Sequence, residues 1–308
     1  MAIPHNWTPP LDDVIEACST LELQEIAWCV GSPTLMESSP GVKHVGEREA
    51  EAARMGFEAW MERAISKGYD PNSIERESGN QRLGRRFERC VSDWFRYHPD
   101  WVVKAANHAV QLDNRTTGEI DLLLEQDGAL LHLELAVKFY LSTCASADWK
   151  TWVGINPVDC LNTKLNKFKT QLDLSTRPEV ITHLEQFGWK INRWAAWMKG
   201  WFFEHYQRIT NPVLPLNASA NCNVGWWCHE KDWPEIWTSA GDWVAIAPHH
   251  WLRVRHDAND VMTLANATEL PVNLSKKRGC MVAMVEREDD ICKEIMRGIV
   301  VSDRWPIG

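Results

Sequence analysis

Residues 118–141 have the sequence GEIDLLLEQDGALLHLELAVKFYL. Asp127-Gly128 separates two runs in which apolar and polar residues alternate. An Asp-Gly pair in this setting is typical of a β-hairpin with a two-residue turn. Strands are therefore predicted at 119–125 and 129–140.

The two faces of this hairpin differ in chemistry, because alternate residues of a strand point to opposite sides. One face is apolar throughout and comprises Ile120, Leu122, Leu124, Leu131, Leu133, Leu135, Val137 and Phe139. The other carries Glu119, Asp121, Leu123, His132, Glu134, Ala136 and Lys138. The turn places Asp121 directly opposite Glu134. The unbroken apolar face indicates a central sheet covered by helices; an amphipathic hairpin whose polar face meets solvent is the alternative.

Two carboxylates directly opposite each other on a sheet repel, because their Cβ atoms lie about 5 Å apart. Such a pair is a poor choice for a face that is only solvated. A hard divalent cation reverses the penalty, since two carboxylates with waters are a usual Mg²⁺ shell. The opposition of Asp121 and Glu134 therefore predicts a site for Mg²⁺ or Mn²⁺.

Helices are predicted on both sides of the hairpin from apolar residues at helical spacing. They cover 11–30, 46–67, 82–96 and 159–173. A third strand is predicted at 101–112, with a turn at 113–118 and a loop at 68–81. The order helix, three meandering strands, helix predicts an α/β protein.

The C-terminal part is predicted to contain short strands and a last helix. The strands are expected at 225–229, 242–248, 250–254 and 280–286, with a strand or helix–strand junction at 194–203 and the helix near 287–297. Three regions follow from this reading. They are an N-terminal helical region (1–81), a core (82–206) and a Trp-rich α+β region (207–308).

The composition is that of an ordinary globular protein, with 44% hydrophobic and 24% charged residues among 308. No apolar run approaches the roughly 20 residues of a membrane helix, and the first residues lack a secretory signal. A cytoplasmic protein without membrane attachment is therefore expected.

The nine cysteines include no CxxC pair, which favours free thiols. The net charge of −9 argues against coating nucleic acid through bulk electrostatics.

Several short segments carry a family resemblance. The chain resembles the core of the PD-(D/E)XK nuclease superfamily in GRRFE (84–88), GEIDLLL (118–124) and HLELAVKFYL (132–141). It more closely resembles the bacterial family called domain of unknown function 1853, through LQEIAWCVGSPTLM (23–36), WVGINPVDCLNTK (152–164), GWW (225–227) and RGIVVSDRWP (297–306). The resemblance implies a restriction-endonuclease-like α-β-β-β-α-β core, with a mixed sheet flanked by helices.

The same resemblance implies metal-dependent hydrolysis of phosphodiester bonds in DNA or RNA. Asp121 corresponds to the superfamily's metal-binding Asp, and Glu134 to the acidic residue of its (D/E)XK element. The backbone carbonyl of Leu135 and the carboxylate of Glu88 complete the implied metal ligands. Lys164 and Gln171 resemble helix residues that many members direct at the site; the cofactor implied is Mg²⁺ or Mn²⁺.

The sequence departs from the superfamily pattern at two positions. Ile120 stands where a proline is expected, and Ala136 stands where the catalytic lysine is expected. Lys138, two residues further along the same face, is the candidate for that lysine. The departure leaves an alternative open, in which a catalytically degenerate nuclease-fold protein acts as a binding or scaffold module. The Trp-rich C-terminal region is then a candidate surface for a protein partner or a homodimer.

Overall fold

The computed structural model describes residues 11–71, 82–113, 115–237, 241–262 and 279–306. Its α-helices are α1 (Asp12–Glu16), α2 (Leu21–Gly31), α3 (Glu47–Ser66), α4 (Leu83–Tyr97), α5 (Leu161–Leu174), α6 (Pro178–Glu185) and α7 (Trp233–Trp237). Its strands are β1 (Ser38–Ser39), β2 (Val42–Lys43), β3 (Val102–Leu112), β4 (Arg115–Gln126), β5 (Ala129–Ser142), β6 (Trp152–Val153), β7 (Ile191–His205), β8 (Val224–His229), β9 (Asp242–Ile246), β10 (Arg255–Asp257), β11 (Gly279–Glu288) and β12 (Ile291–Val301). No helix among these residues is long and apolar enough to cross a membrane.

Ten of these strands form one mixed sheet. Its order is β3-β4-β5-β7-β8-β12-β11-β9, with β6 beside β5 and β10 beside β12. The pairs β5–β7, β7–β8 and β8–β12 are parallel, and the other pairs are antiparallel. The prediction of an α/β protein with a mixed sheet and flanking helices is therefore confirmed.

The predicted hairpin is formed by β4 and β5. Gln126 pairs with Ala129, so Asp127 and Gly128 make the two-residue turn. Both turn residues have positive φ, 51° and 74°, as the type I′ turn of an Asp-Gly hairpin requires. The turn and the register read from the sequence are confirmed.

Helices α4 and α5 cover opposite faces of β5. Helix α4 shares a core cluster with one set of alternate strand residues: Phe87 and Val91 with Leu133, Leu135 and Val137. Helix α5 shares another cluster with the remaining set: Leu165 and Phe168 with Ala136 and Tyr140. Because Glu134 belongs to the second set, its face of the hairpin is covered by α5 and does not meet solvent.

The predicted apolar face of the hairpin needs one correction. Ile120 packs in a smaller cluster with Leu123 and Val110, apart from Leu122 and Leu124. The strand pairing beside Ile120 is irregular, as described below for Asp121, and this irregularity breaks the simple alternation of β4.

Some predicted element boundaries were wrong. The apolar pattern at 11–30 forms two helices, α1 and α2. Residues 115–118 belong to β4 and not to the predicted turn. Residues 250–254 complete a 3₁₀ turn and a loop and form no strand, and α6 was not predicted. Residues 72–81 of the predicted loop at 68–81 lie outside the described residues.

The helix predicted at 287–297 is wrong, because this segment belongs to the antiparallel hairpin of β11 and β12. In the structure Glu294 and Arg297 are buried and form an ion pair at 2.6 Å. Buried and paired charges conceal the period-two pattern on which a strand prediction depends.

The remaining predictions fare as follows. Residues 194–203 lie within β7, a strand, and all nine cysteines are free thiols. The division into three regions stays a prediction. Strand β8, from the predicted C-terminal region, pairs with β7 of the predicted core and extends the same sheet.

Gly200 permits the close pairing of β7 with β5 beside Lys138. Its φ is +132°, and a Cβ atom there would lie 1.7 Å from the carbonyl oxygen of Lys138. We expect Gly200→Ala to lower the free energy of unfolding by about 3 kcal/mol or more, because strain and overpacking combine. Urea denaturation measures the change.

Gly56→Ala, in the interior of α3, is the matched control. Its Cβ would meet nothing within 4 Å. We expect it to be stabilising by about 0.5–1 kcal/mol, the difference in helix propensity. Equal effects of the two variants would contradict the steric explanation.

Candidate functional site

The two predicted carboxylates lie where the pairing of β4 with β5 stops. The paired positions end at Leu122 opposite Leu133, one residue before Asp121 and Glu134. Beyond that point a side chain replaces the backbone as hydrogen-bond acceptor. Oδ2 of Asp121 accepts a hydrogen bond from the backbone N–H of Leu135 at 2.8 Å. The carboxyl of Asp121 is thus fixed against β5.

The pairing of β4 with β3 is also interrupted at Asp121. Ala106 pairs with Leu122 and His108 pairs with Ile120, while the intervening Asn107 has a positive φ of 51°. The Asn107 side-chain oxygen instead accepts a hydrogen bond from Arg85 of α4. Asp121 therefore lies at an irregular point of the sheet on both sides, where its carboxyl is not flanked by regular pairing.

Both carboxylates are buried beneath α5. Glu134 is 0% exposed and Asp121 is 8% exposed. Oε1 of Glu134 lies 2.8 Å from Nε2 of His132, and the Glu134 carboxyl is also hydrogen-bonded to the side chain and the backbone N–H of Asp121. Two buried carboxyl groups in contact with each other repel when both are ionised, so the pair indicates a site that a cation would stabilise.

Burial makes both carboxyl groups reluctant to ionise. Desolvation, followed by repulsion from Glu134, raises the pKa of Asp121 to about 7. Desolvation also raises the pKa of Glu134 to about 7, against the attraction of Lys164. At neutral pH these two carboxyl groups are therefore only partly ionised, and such raised pKa values are typical of functional carboxylates.

Lys164 supplies the cation that faces the pair. It comes from α5, and desolvation lowers its pKa to about 8 although Asp121 and Glu134 attract its charge. Its Nζ lies 3.9 Å from the ring centroid of Phe168, one turn further along the helix. Gln171, two turns after Lys164, has a buried side-chain oxygen without a hydrogen-bond partner.

Lys138, the predicted catalytic lysine, is engaged elsewhere. Its Nζ lies 2.6 Å from Oδ2 of Asp159, in the loop before α5. The same carboxyl group accepts a hydrogen bond from the hydroxyl of Tyr140 at 3.3 Å. The structure thus brings Lys164, and not Lys138, into closest electrostatic contact with the carboxylate pair.

Glu88 lies on α4, near the pair and attached to Arg85. The Arg85 guanidinium bridges Glu88 at 3.0 Å and Glu119 at 3.1 Å. Desolvation and repulsion by Asp121 raise the pKa of Glu88. The described residues include no group of three or more His, Cys, Asp or Glu side chains arranged to hold a metal ion, so the core of the site is a pair of carboxylates.

The residues present fit a hard divalent cation with few protein ligands. Mg²⁺ is usually bound through one or two carboxylates, and waters complete its octahedron. Oε2 of Glu134, the oxygen that His132 does not contact, is the donor that such an ion would use. The predicted role of the Leu135 carbonyl stays a prediction; its N–H is already bound to Asp121.

The partners of Glu134 and Lys138 were not predicted from the sequence. His132 was on the predicted polar face, but its hydrogen bonds join Glu134 to Ser175 after α5, and sequence spacing does not reveal this contact. Asp159 had a signal, because it stands in the WVGINPVDCLNTK segment (152–164).

The pKa values predict how stability depends on pH. The pKa of Glu134 is higher in the folded than in the unfolded chain, so the stabilisation it gives is present at low pH and is lost as pH rises through about 7. Glu134→Gln removes this loss. We expect its free energy of unfolding, relative to the wild type, to increase by about 3 kcal/mol between pH 5 and pH 8 in metal-free buffer.

Urea denaturation at each pH measures this difference. Glu185→Gln, which changes an exposed glutamate at the end of α6, is the control for the removal of a glutamate outside the site. A difference for Glu134→Gln that stays constant between pH 5 and pH 8 would contradict the raised pKa.

Comparison with known proteins identifies the family. A family model described as Domain of unknown function (DUF1853) matches residues 24–301, which includes the hairpin and α5. No curated protein and no solved structure matches the chain. The match extends over most of the sequence, and the chain belongs to the DUF1853 family.

Proposed function

We propose that this protein is a metal-dependent nuclease that hydrolyses phosphodiester bonds of DNA or RNA. One observation carries the proposal. Asp121 and Glu134 are buried in contact with each other as a pair of carboxyl groups, which Lys164 faces. Two acidic oxygens and one amine around a small polar site suit a divalent cation and a phosphate group.

The order of elements supports the same proposal. Helix α4 precedes the antiparallel strands β3, β4 and β5, and α5 and α6 then lead to β7, which pairs parallel with β5. This order agrees with the α-β-β-β-α-β core implied by the PD-(D/E)XK resemblance. Asp121 and Glu134 also occupy the positions on adjacent strands that the resemblance assigns to the metal ligands.

The proposed site holds Mg²⁺ or Mn²⁺ at Asp121 and Glu134, with Glu88 nearby. The ion, when bound, polarises a phosphoryl oxygen and lowers the pKa of a bound water. Lys164 places a positive charge beside the negative charge that develops on the phosphate. Lys167, on the same helix and exposed, is suited to contact the nucleic-acid backbone.

Lys164 therefore takes the role that the superfamily pattern gives to a lysine two residues after Glu134. Ala136 occupies that strand position, and the helix above it brings the amine to the pair. Lys138 is paired with Asp159 and lies outside the reacting groups in this proposal.

Cleavage assays with four variants test the proposal. We expect Asp121→Asn and Glu134→Gln to abolish cleavage that depends on Mg²⁺ or Mn²⁺, because each removes a metal ligand. Lys164→Met should lower the rate about 100-fold or more, as the loss of a charge at the transition state does. Lys138→Met should change the rate by only a few-fold. Labelled single- and double-stranded DNA and RNA are the substrates.

The results show which of the two lysines acts in cleavage, and they distinguish a nuclease from a non-catalytic binding module. A large loss with Lys138→Met and a small one with Lys164→Met would contradict the role of Lys164. Wild-type protein that neither cuts these substrates nor binds Mn²⁺ would contradict the nuclease proposal. It would favour the alternative, a catalytically degenerate binding module.

Metal affinity should depend strongly on pH. Both carboxyl groups have a pKa of about 7, and a cation must displace their protons. We expect the Kd for Mn²⁺ to fall about 10-fold or more from pH 6 to pH 8. Calorimetry in two buffers of different ionisation enthalpy measures the affinity and the protons released together.

Asp121→Asn is the control for this measurement and should bind Mn²⁺ weakly at both pH values. Equal affinity of the wild type at pH 6 and pH 8 would show that no proton leaves the site on binding.

A further inference from the structure

His132 contacts Glu134 and has no free nitrogen. Its Nε2 lies 2.8 Å from Oε1 of Glu134, and its Nδ1 lies 2.7 Å from the hydroxyl oxygen of Ser175. The ring is 0% exposed. A histidine with both nitrogens bound to protein groups and no solvent contact is suited neither to bind a metal nor to accept a proton from a substrate.

A chain of hydrogen bonds extends from His132 to β7. The indole N–H of Trp194 donates to the Ser175 hydroxyl oxygen at 2.8 Å. Ser175 follows directly after α5, and Trp194 is paired with His132 in the register of β5 and β7. The chain therefore joins the end of the helix, the next strand and the carboxylate strand.

Donor and acceptor roles in this chain follow from what each group is able to do. An indole only donates, so the Ser175 oxygen accepts from Trp194 and has one hydrogen to give. When Glu134 is ionised, Nε2 of a neutral His132 must carry the hydrogen, since two lone pairs would otherwise face each other. The Ser175 hydroxyl then donates its hydrogen to Nδ1 of His132 at 2.7 Å, in preference to the Leu172 carbonyl oxygen at 3.2 Å.

We propose that His132 is a positioning residue that holds Oε1 of Glu134, so that only Oε2 remains to bind a cation, and that Ser175 and Trp194 fix the tautomer that does this. The cation part rests on the proposed function. The oxygen left over, Oε2, belongs to the carboxyl that contacts Asp121. Rotation of Glu134 to present both oxygens would leave the buried Nε2–H unpaired, so Glu134 binds through one oxygen.

The contact between His132 and Glu134 resembles a common feature of metal sites with the roles of the two side chains exchanged. There a carboxylate orients a histidine ligand, and loss of the partner lowers metal affinity about 10–100-fold. Here a histidine orients a carboxylate ligand. The effect on affinity should be of the same size, because in both cases the partner holds one rotamer of the ligand.

Two variants of His132 test the positioning role through Mn²⁺ affinity at pH 8. His132→Leu removes the donor, and we expect the Kd to rise about 10–100-fold. His132→Gln keeps an N–H at similar reach, and we expect it to restore affinity to within a few-fold of the wild type. A Kd for His132→Leu equal to that of the wild type would overturn the role.

Nitrogen-15 spectra of histidine-labelled protein at pH 8 give a second readout, independent of metal. The signals of His132 are those absent from the His132→Gln spectrum. We expect a protonated Nε2 and an unprotonated Nδ1, and we expect Ser175→Ala to shift the Nδ1 signal by removing its donor. A protonated Nδ1 in the wild type would overturn the assignment.

The two failures are distinguishable. Wild-type protein that binds no Mn²⁺ overturns the proposed function, and the tautomer of His132 then still decides whether it holds Glu134. Urea denaturation of His132→Leu and His132→Gln checks that a loss of affinity does not come from a loss of the fold.

Discussion

The burial of two like-charged carboxyl groups beneath a helix is the constraint on which this site depends. Asp121 and Glu134 lie on the face of the hairpin that α5 covers, where burial raises the pKa of both carboxyl groups to about 7. The structure offsets part of this cost through Lys164 and through the Leu135 N–H. It leaves the two carboxyl groups in contact with each other, where Glu134 repels the charge of Asp121, and a cation would relieve that repulsion.

Two other buried carboxylates of this chain, Glu25 and Glu294, are paired differently from Asp121 and Glu134. Glu25, 0% exposed, is held by Arg86 at 2.5 Å and by Arg253 at 2.6 Å. Although burial opposes it, the pKa of Glu294 is lowered by Arg297 and His256. Glu25 and Glu294 are thus each paired with two basic side chains. Asp121 and Glu134 instead lie against each other with Lys164 as the nearby charge, an arrangement typical of functional carboxylates.

The sequence predicted what local chemistry determines and missed what distant elements supply. The Asp-Gly turn and the alternation around it fixed the register, because a strand has only two faces and the turn permits one pairing. The strand β12 was missed because Glu294 and Arg297 satisfy each other inside the protein, which no local pattern reveals. The approach of Lys164 to the pair and the contact of Trp194 with Ser175 depend on how α5 and β7 pack, and sequence spacing does not contain that information.

The small side chain of Ala136 and the position of Lys164 both follow from the close packing of α5 on the sheet. Ala136 is buried in the cluster that contains Leu165 and Phe168 of α5, so a small side chain at this strand position lets the helix lie close to the sheet. A lysine there would have to pass between the strand and these two side chains. The close helix in turn carries Lys164 one turn before Phe168, with its amine held over that ring. The alanine on the strand and the lysine on the helix are therefore consequences of the same packing, and Ala136 by itself does not count against the proposed nuclease.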